Sequence, residues 1–149
     1  MKAWKIFIAG HNGMMGRAVH RALTNRGCEN IVTRTSKELD LRDQSAVKDF
    51  FSEEKPEVVI NAAARVGGIQ ANIDFPYEFL MDNMQIQSNL IDTAYKTNVR
   101  KFVFLGSSCI YPETAPQPLK EDDLLTGTMD GSNSFYGIAK ISGIKACEA

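Results

Sequence analysis

At 149 residues, with 44% apolar and 23% charged residues, the chain has the make-up of one soluble globular domain able to bury a core. Its formal net charge of −1 and scattered basic residues give no electrostatic ground for binding nucleic acid or an anionic membrane. No segment approaches the length of a transmembrane helix, and Cys28, Cys109 and Cys147 lie far apart with no CxxC pair. They read as reduced thiols of a cytoplasmic protein, with no metal site expected.

The opening MKAWKIFIAG starts like a leader peptide, but its apolar stretch ends at Gly10, too soon for an h-region. WKIFIAG is the first strand run. Residues Met14 to Asn25 set Met15, Val19, Ala22 and Leu23 at helical spacing and are closed by Gly27. A second strand is expected over Asn30 to Thr35. Asp43 then caps a helix from Ser45 to Glu54 that buries Val47, Phe50 and Phe51. Glu57 to Ala64 forms a third strand with the small Ala62 and Ala63 at its exit. A turn at Gly67 and Gly68 precedes a long helix from about Pro76 to Thr97, and KFVFLGSS is the fourth strand. A Pro- and Asp-rich loop, Pro112 to Asn133, leads to a last helix beginning near Phe135.

This alternation of short apolar runs with amphipathic stretches is the βαβ pattern of a parallel sheet. The runs are apolar on both faces, as in a sheet covered by helices on both sides. Right-handed crossovers predict the strand order 3-2-1-4, the first half of a doubly wound α/β sheet with its switch-point strand. The last helix is still running at Ala149, where a fifth strand would normally follow, so the fourth strand presents an open edge.

Between the first strand and helix, IFIAGHNGMMG places Gly10, Gly13 and Gly16. Gly10 makes the tight turn, Gly13 lets backbone approach a pyrophosphate, and Gly16 lets helix and strand pack closely. The helix N-terminus adds free N–H groups and a positive dipole end. The second strand exits through Arg34, Thr35, Ser36 and Lys37, with Glu38 and Asp40 only later. Cations and hydroxyls there suit a ribose 2′-phosphate, and so NADP(H) over NAD.

SFYGIAK puts Tyr136 and Lys140 one helical turn apart on one face. An ammonium near the phenol is expected to lower its pKa and make it a usable proton donor for a carbonyl–alcohol interconversion. Ser107, after the fourth strand, completes a Ser–Tyr–Lys constellation around one carbonyl oxygen. A packed tyrosine with a snorkelling lysine is the alternative for the pair taken alone.

With these three motifs, and with RTSKELDL, AAARVGGI, LGSSCIYP and YGIAKISGIK, the chain resembles the extended short-chain dehydrogenase/reductases. Within them it is most similar to the branch that epimerises and reduces GDP-4-keto-6-deoxy-mannose, over about the first half of such an enzyme. The resemblance implies a Rossmann-like NAD(P)-binding domain over 1–149 without its substrate-binding domain, a GDP-sugar substrate and a homodimer formed in part by the long helix. By position, Tyr136 protonates the sugar oxygen during hydride transfer, Lys140 lowers its pKa and holds the nicotinamide ribose, and Ser107 hydrogen-bonds the keto oxygen. Cys109 moves protons at the epimerised carbons. Cofactor contacts fall to Gly10, Asn12, Gly13, Met14, Met15 and Gly16, to Arg34, Ser36, Lys37, Asp40 and Leu41, to Ala62 and Ala63, to Leu105 and Gly106, and to Lys140. The family often carries arginines where this chain has Asn12 and Ser36. His11 and His20 do not stand where the family's acid histidine does. Two other readings stay open: a related nucleotide-sugar epimerase, and a non-catalytic chain that binds a dinucleotide.

Overall fold

The computed structural model describes residues 4–149; Met1, Lys2 and Ala3, which open the stretch compared with a leader peptide, lie outside the described residues. The elements are β1 (Ile6–Ala9), α1 (Met14–Asn25), β2 (Ile31–Thr33), α2 (Gln44–Glu54), β3 (Val58–Asn61), α3 (Ile69–Asp74), α4 (Pro76–Lys96), β4 (Lys101–Phe104) and α5 (Ser134–Glu148). Short 3₁₀ turns occupy Ser108–Ile110 and Glu121–Asp123. The chain forms two compact units. The first holds the residues up to Ala64 together with Gln85–Leu105, the second Arg65–Met84 together with Gly106–Ala149.

The first unit is a parallel sheet with helices, an α/β Rossmann-like fold, in the order β2-β1-β3-β4. This corrects the expected 3-2-1-4: β3 lies on the far side of β1 from β2, with Phe7 opposite Val32 on one side and Val59 on the other. Burial accounts for it. Every β1 residue is buried, so β1 needs a neighbour on each flank, whereas the three half-buried residues of β2 suit an edge. The return helix α2 lays Val47, Phe50 and Phe51 in one cluster with Phe7 and Val59, so the crossover passes β1 before the chain re-enters the sheet. The switch point therefore falls between β1 and β3, where ligands sit in this topology.

Local chemistry sets the ends. Gly27 takes φ +75°, and the Gly27 and Cys28 N–H groups close α1 on the Thr24 and Leu23 carbonyls at 2.9 and 3.1 Å. Asp43 caps α2 by accepting from the Ser45 and Ala46 N–H groups. Strands β3 and β4 end at Asn61 and Phe104, short of the apolar runs that contain them.

The second unit is helical and irregular. Its α3 was not expected: the sequence suggests only a turn there. Asn72 donates from Nδ2 to the Gly67 and Gly68 carbonyls, tying the helix to its start. Pro76 ends it, because the residue before a proline is pushed out of the helical region and Phe75 sits at φ −129°, ψ 50°. Among the described residues no helix is long and apolar enough to cross a membrane.

Candidate active site

In the first unit, the chain turns at Gly10 with φ +78°, and a Cβ there would lie 2.6 Å from the Ala63 Cα and N. A Cβ on Gly16 would lie 2.1 Å from the Gly10 carbonyl oxygen. Both positions therefore admit glycine alone. The Gly13 N–H closes the turn on the Gly10 carbonyl at 3.0 Å. Gly13 caps α1 without a side chain, and the N–H groups of Met14, Met15 and Gly16 precede the bond from the Arg17 N–H to the Gly13 carbonyl. Asn12, Gly13, Met14 and Met15 are exposed around them. Free N–H groups at an open helix start, with no side chain in the way, fit a dinucleotide pyrophosphate. The sequence reading missed Asn61. It is 1% exposed at the end of β3, and its Oδ1 accepts from the Ala63 N–H at 3.1 Å, fixing the backbone that Gly10 touches. A polar residue inside the apolar run VVIN was the available signal.

After β2 the side chains part company. Arg34 folds back along the strand, pairing through Nη2 with Glu54 Oε1 at 2.5 Å and donating from Nη1 to the Thr33 carbonyl at 2.9 Å. Its guanidinium lies 5.3 Å from the Phe50 ring centroid. Glu54 also holds Lys5, the residue preceding β1, at 3.3 Å, so this cluster sits toward the start of the sheet and not at the glycine turn. Glu38 accepts from the Thr35 N–H at 2.7 Å and from its hydroxyl at 2.8 Å; these bonds hold its carboxyl below the usual range. Ser36 and Lys37 are exposed. Asp40 clasps Arg42, which holds its carboxyl below the usual range too, and the Leu41 carbonyl accepts from Asn89 Nδ2 at 2.9 Å.

In the second unit, Ser107 caps the Ser108–Ile110 turn, its Oγ accepting from the Cys109 N–H at 3.3 Å. Ser107 also acts on the Tyr136 phenol, pulling its pKa down. A Cβ on Gly137 would lie 2.8 Å from the Cys109 carbonyl, so glycine lets α5 press against that turn and sets Tyr136 beside Ser107 and Cys109. Lys140 is 4% exposed, with Nζ 5.9 Å from the Tyr136 ring centroid. The Phe79 ring meets Tyr136 edge-on at 6.5 Å. Gly106 is exposed at the start of this segment, and Leu105 is half-buried.

The structure thus brings Ser107, Cys109, Tyr136 and Lys140 together, but corrects the electrostatics. Burial pushes the Tyr136 phenol up, opposed by Ser107, and burial pushes Lys140 down to about 8. The cost of burying each charged form outweighs any lowering of the phenol by an ammonium 5.9 Å from its ring. Sequence reasoning also left out Asn83, which is 2% exposed and grips the Arg65 backbone through Oδ1 at 2.8 Å and Nδ2 at 3.0 Å. Arg65 then pairs with Asp82 at 3.1 Å and stacks 5.6 Å from the Phe79 ring centroid. Arg65, within AAARVGGI, is in this way tied to the aromatic ring that meets Tyr136.

A family model described as the NAD dependent epimerase/dehydratase family matches residues 6–149. The chain is 53% identical to GDP-L-fucose synthase 1 of Arabidopsis thaliana over 99% of its own length and 46% of that protein's. It is 51% identical to the GDP-L-fucose synthase of Escherichia coli (strain K12) over 100% of its length and 46% of that protein's. Among solved structures it is similar to MlghC, a GDP-mannoheptose C4 reductase from Campylobacter jejuni with NADP bound. The TM-score is 0.96 at 43% identity, covering 99% of this chain and 47% of that one. The chain spans about half the length of the curated relatives it matches.

Proposed function

The chain belongs to the NAD dependent epimerase/dehydratase family, and from that premise we propose that it is the cofactor-binding and proton-transfer part of a GDP-L-fucose synthase. The reaction is the NADPH-dependent epimerisation and reduction of GDP-4-keto-6-deoxy-mannose to GDP-L-fucose. The observation that carries the reading is the close packing of α5, through Gly137, on the Cys109 carbonyl, which sets Tyr136 beside the turn that holds both Ser107 and Cys109, since plain carbonyl reduction has no use for the thiol.

Bound NADPH supplies a hydride to the keto carbon. Tyr136 delivers the matching proton to the keto oxygen, and Ser107 donates a hydrogen bond to that oxygen, placing it for the transfer. Lys140, pushed down to about 8, is still mostly protonated at pH 7 and favours the phenolate left behind. The ketone acidifies the C–H bonds beside it, and Cys109 carries protons at those carbons, a task suited to a thiol. The glycine turn and the start of α1 would hold the pyrophosphate.

Assembly as a homodimer belongs to the same proposal and is supported by Tyr77 and Tyr95, 70% and 84% exposed on α4. Work in the cytoplasm is supported by the unpaired Cys28, Cys109 and Cys147.

The test is the intact mass of the natural polypeptide, NADPH binding by calorimetry on the same material, and exchange of solvent deuterium into GDP-4-keto-6-deoxy-mannose. NADPH binding with exchange that is lost in Cys109→Ser is expected; no binding, or exchange untouched by that change, overturns the reading. A second reading, reduction without epimerisation, is favoured by the likeness to a C4 reductase and predicts NADPH oxidation without deuterium incorporation.

A further inference from the structure

We infer that Phe79 is a positioning residue for Tyr136: its ring, held by Gly67 and Arg65, fixes the direction in which the phenol meets the turn that carries Ser107 and Cys109. The inference rests on the proton-transfer reading above and adds to it a residue and a purpose for the ARVGG run. Tyr136 needs support from outside its helix. It is the third residue of α5, whose cap Asn133 makes no side-chain hydrogen bond, and the next residue, Gly137, has no side chain to brace it. A tyrosine on a helix keeps two favoured χ1 rotamers, and a change between them swings the phenol oxygen through several ångströms. The contact of Gly137 with the Cys109 carbonyl fixes where α5 lies, not which way the ring points.

Phe79 supplies that direction. It is 3% exposed, and its ring meets the Tyr136 ring at 6.5 Å between centroids with the planes 73° apart, the edge-on arrangement that aromatic pairs favour. The Phe79 ring is itself held from several places. A Cβ on Gly67 would lie 3.0 Å from Phe79 Cζ and 3.0 Å from Ala71 Cβ, so the ring takes up space that a side chain at 67 would need. The Arg65 guanidinium lies 5.6 Å from the ring centroid and is anchored on Asp82 at 3.1 Å. Asn83 ties the two backbones together, accepting from the Arg65 N–H and donating from Nδ2 to the Phe79 carbonyl at 2.6 Å. Gly68 gives the contrast: a Cβ there would meet nothing within 4 Å, so of the glycine pair the ring demands only Gly67. The half-buried Tyr136 therefore packs on a ring with little room to yield.

Steady-state reduction of GDP-4-keto-6-deoxy-mannose by NADPH, with NMR of ring-labelled tyrosine on the same polypeptide, tests this. Phe79→Leu is expected to lower kcat about tenfold while KM for both substrates stays within about twofold, as for a misaimed group and not for lost binding. Gly67→Ala, which presses on the ring, is expected to lower kcat about threefold and to add nothing in the Phe79→Leu background, where Cζ is gone. Gly68→Ala is expected to leave kcat within about twofold. Because Phe79 is buried, Arg65→Met, at a partly exposed position, decides if Phe79→Leu does not fold; kcat is expected to fall about threefold at unchanged KM, and an unchanged kcat overturns the inference. So does a Phe79→Leu kcat within about twofold of wild type, a loss carried by KM instead, or effects of Gly67→Ala and Phe79→Leu that simply add. In the spectra, a nuclear Overhauser contact between the Tyr136 ring and the Ser107 β protons is expected in wild type and lost in Phe79→Leu. Its persistence overturns the inference whether or not the chain turns over substrate, whereas its loss in a chain without turnover supports the inference and overturns the reaction assignment alone.

Discussion

Lys140 is 4% exposed, and burial pushes it down to about 8 while pushing the Tyr136 phenol up. A lysine whose folded pKa falls below its ordinary value of 10.5 binds fewer protons folded than unfolded between those two limits. Its cost to stability is therefore full at pH 7 and is relieved as pH rises from about 8 toward 10.5. Lys140→Met is expected to raise unfolding stability at pH 7 by on the order of 2 kcal/mol, with the gain shrinking by pH 9.5. Urea unfolding at both pH values checks it; an equal gain at both would place the effect in packing rather than charge. The Ser107, Tyr136 and Lys140 grouping was legible in the sequence because helical spacing and strand ends are local properties. The direction of the phenol's shift was not, since it depends on how deeply tertiary packing buries both groups. Arg34 shows the same limit: Glu54 lies twenty residues away, and only the fold puts it within 2.5 Å.

Elements with strong local signals stand as read. Helix α1 spans Met14–Asn25 as its spacing and Gly27 require, and α2 begins beside Asp43. Asp43 accepts from the Ser45 N–H at 2.9 Å and the Ala46 N–H at 3.1 Å, so Asp43→Ala is expected to destabilise the chain by about 1 kcal/mol. Denaturant titration reads this as a lower midpoint at unchanged slope, and Asp43→Asn should restore most of it. Short elements were less legible. Helix α3 has six residues, too few for periodicity to show, and its start depends on Asn72 reaching back to Gly67 and Gly68. Strand order was misread because an apolar run on both faces says that a strand is central without saying which strands flank it. The side of β1 on which the chain returns depends on where Phe50 and Phe51 find a surface, and that surface is shared by Phe7 and Val59.

At the scale of the whole chain, the two units differ in what orders them. The first has β1 paired on both flanks, with Ile6 and Ile8 in one apolar cluster and Phe7 and Ala9 in another. The second has no strand among its described residues, and residues 111–133 carry only the 3₁₀ turn at Glu121–Asp123. Native-state hydrogen exchange is expected to show β1 opening only with global unfolding and α5 opening at lower free energy. Equal values for the two would mean a single cooperative unit. The glycine turn belongs to the better-ordered part, held between the buried Asn61–Ala63 exit and the start of α1. A loop already locked by backbone contact has little freedom left to surrender when something docks on it. Nucleotide association should then be one stopped-flow phase whose rate climbs linearly with concentration, with no slow rearrangement behind it.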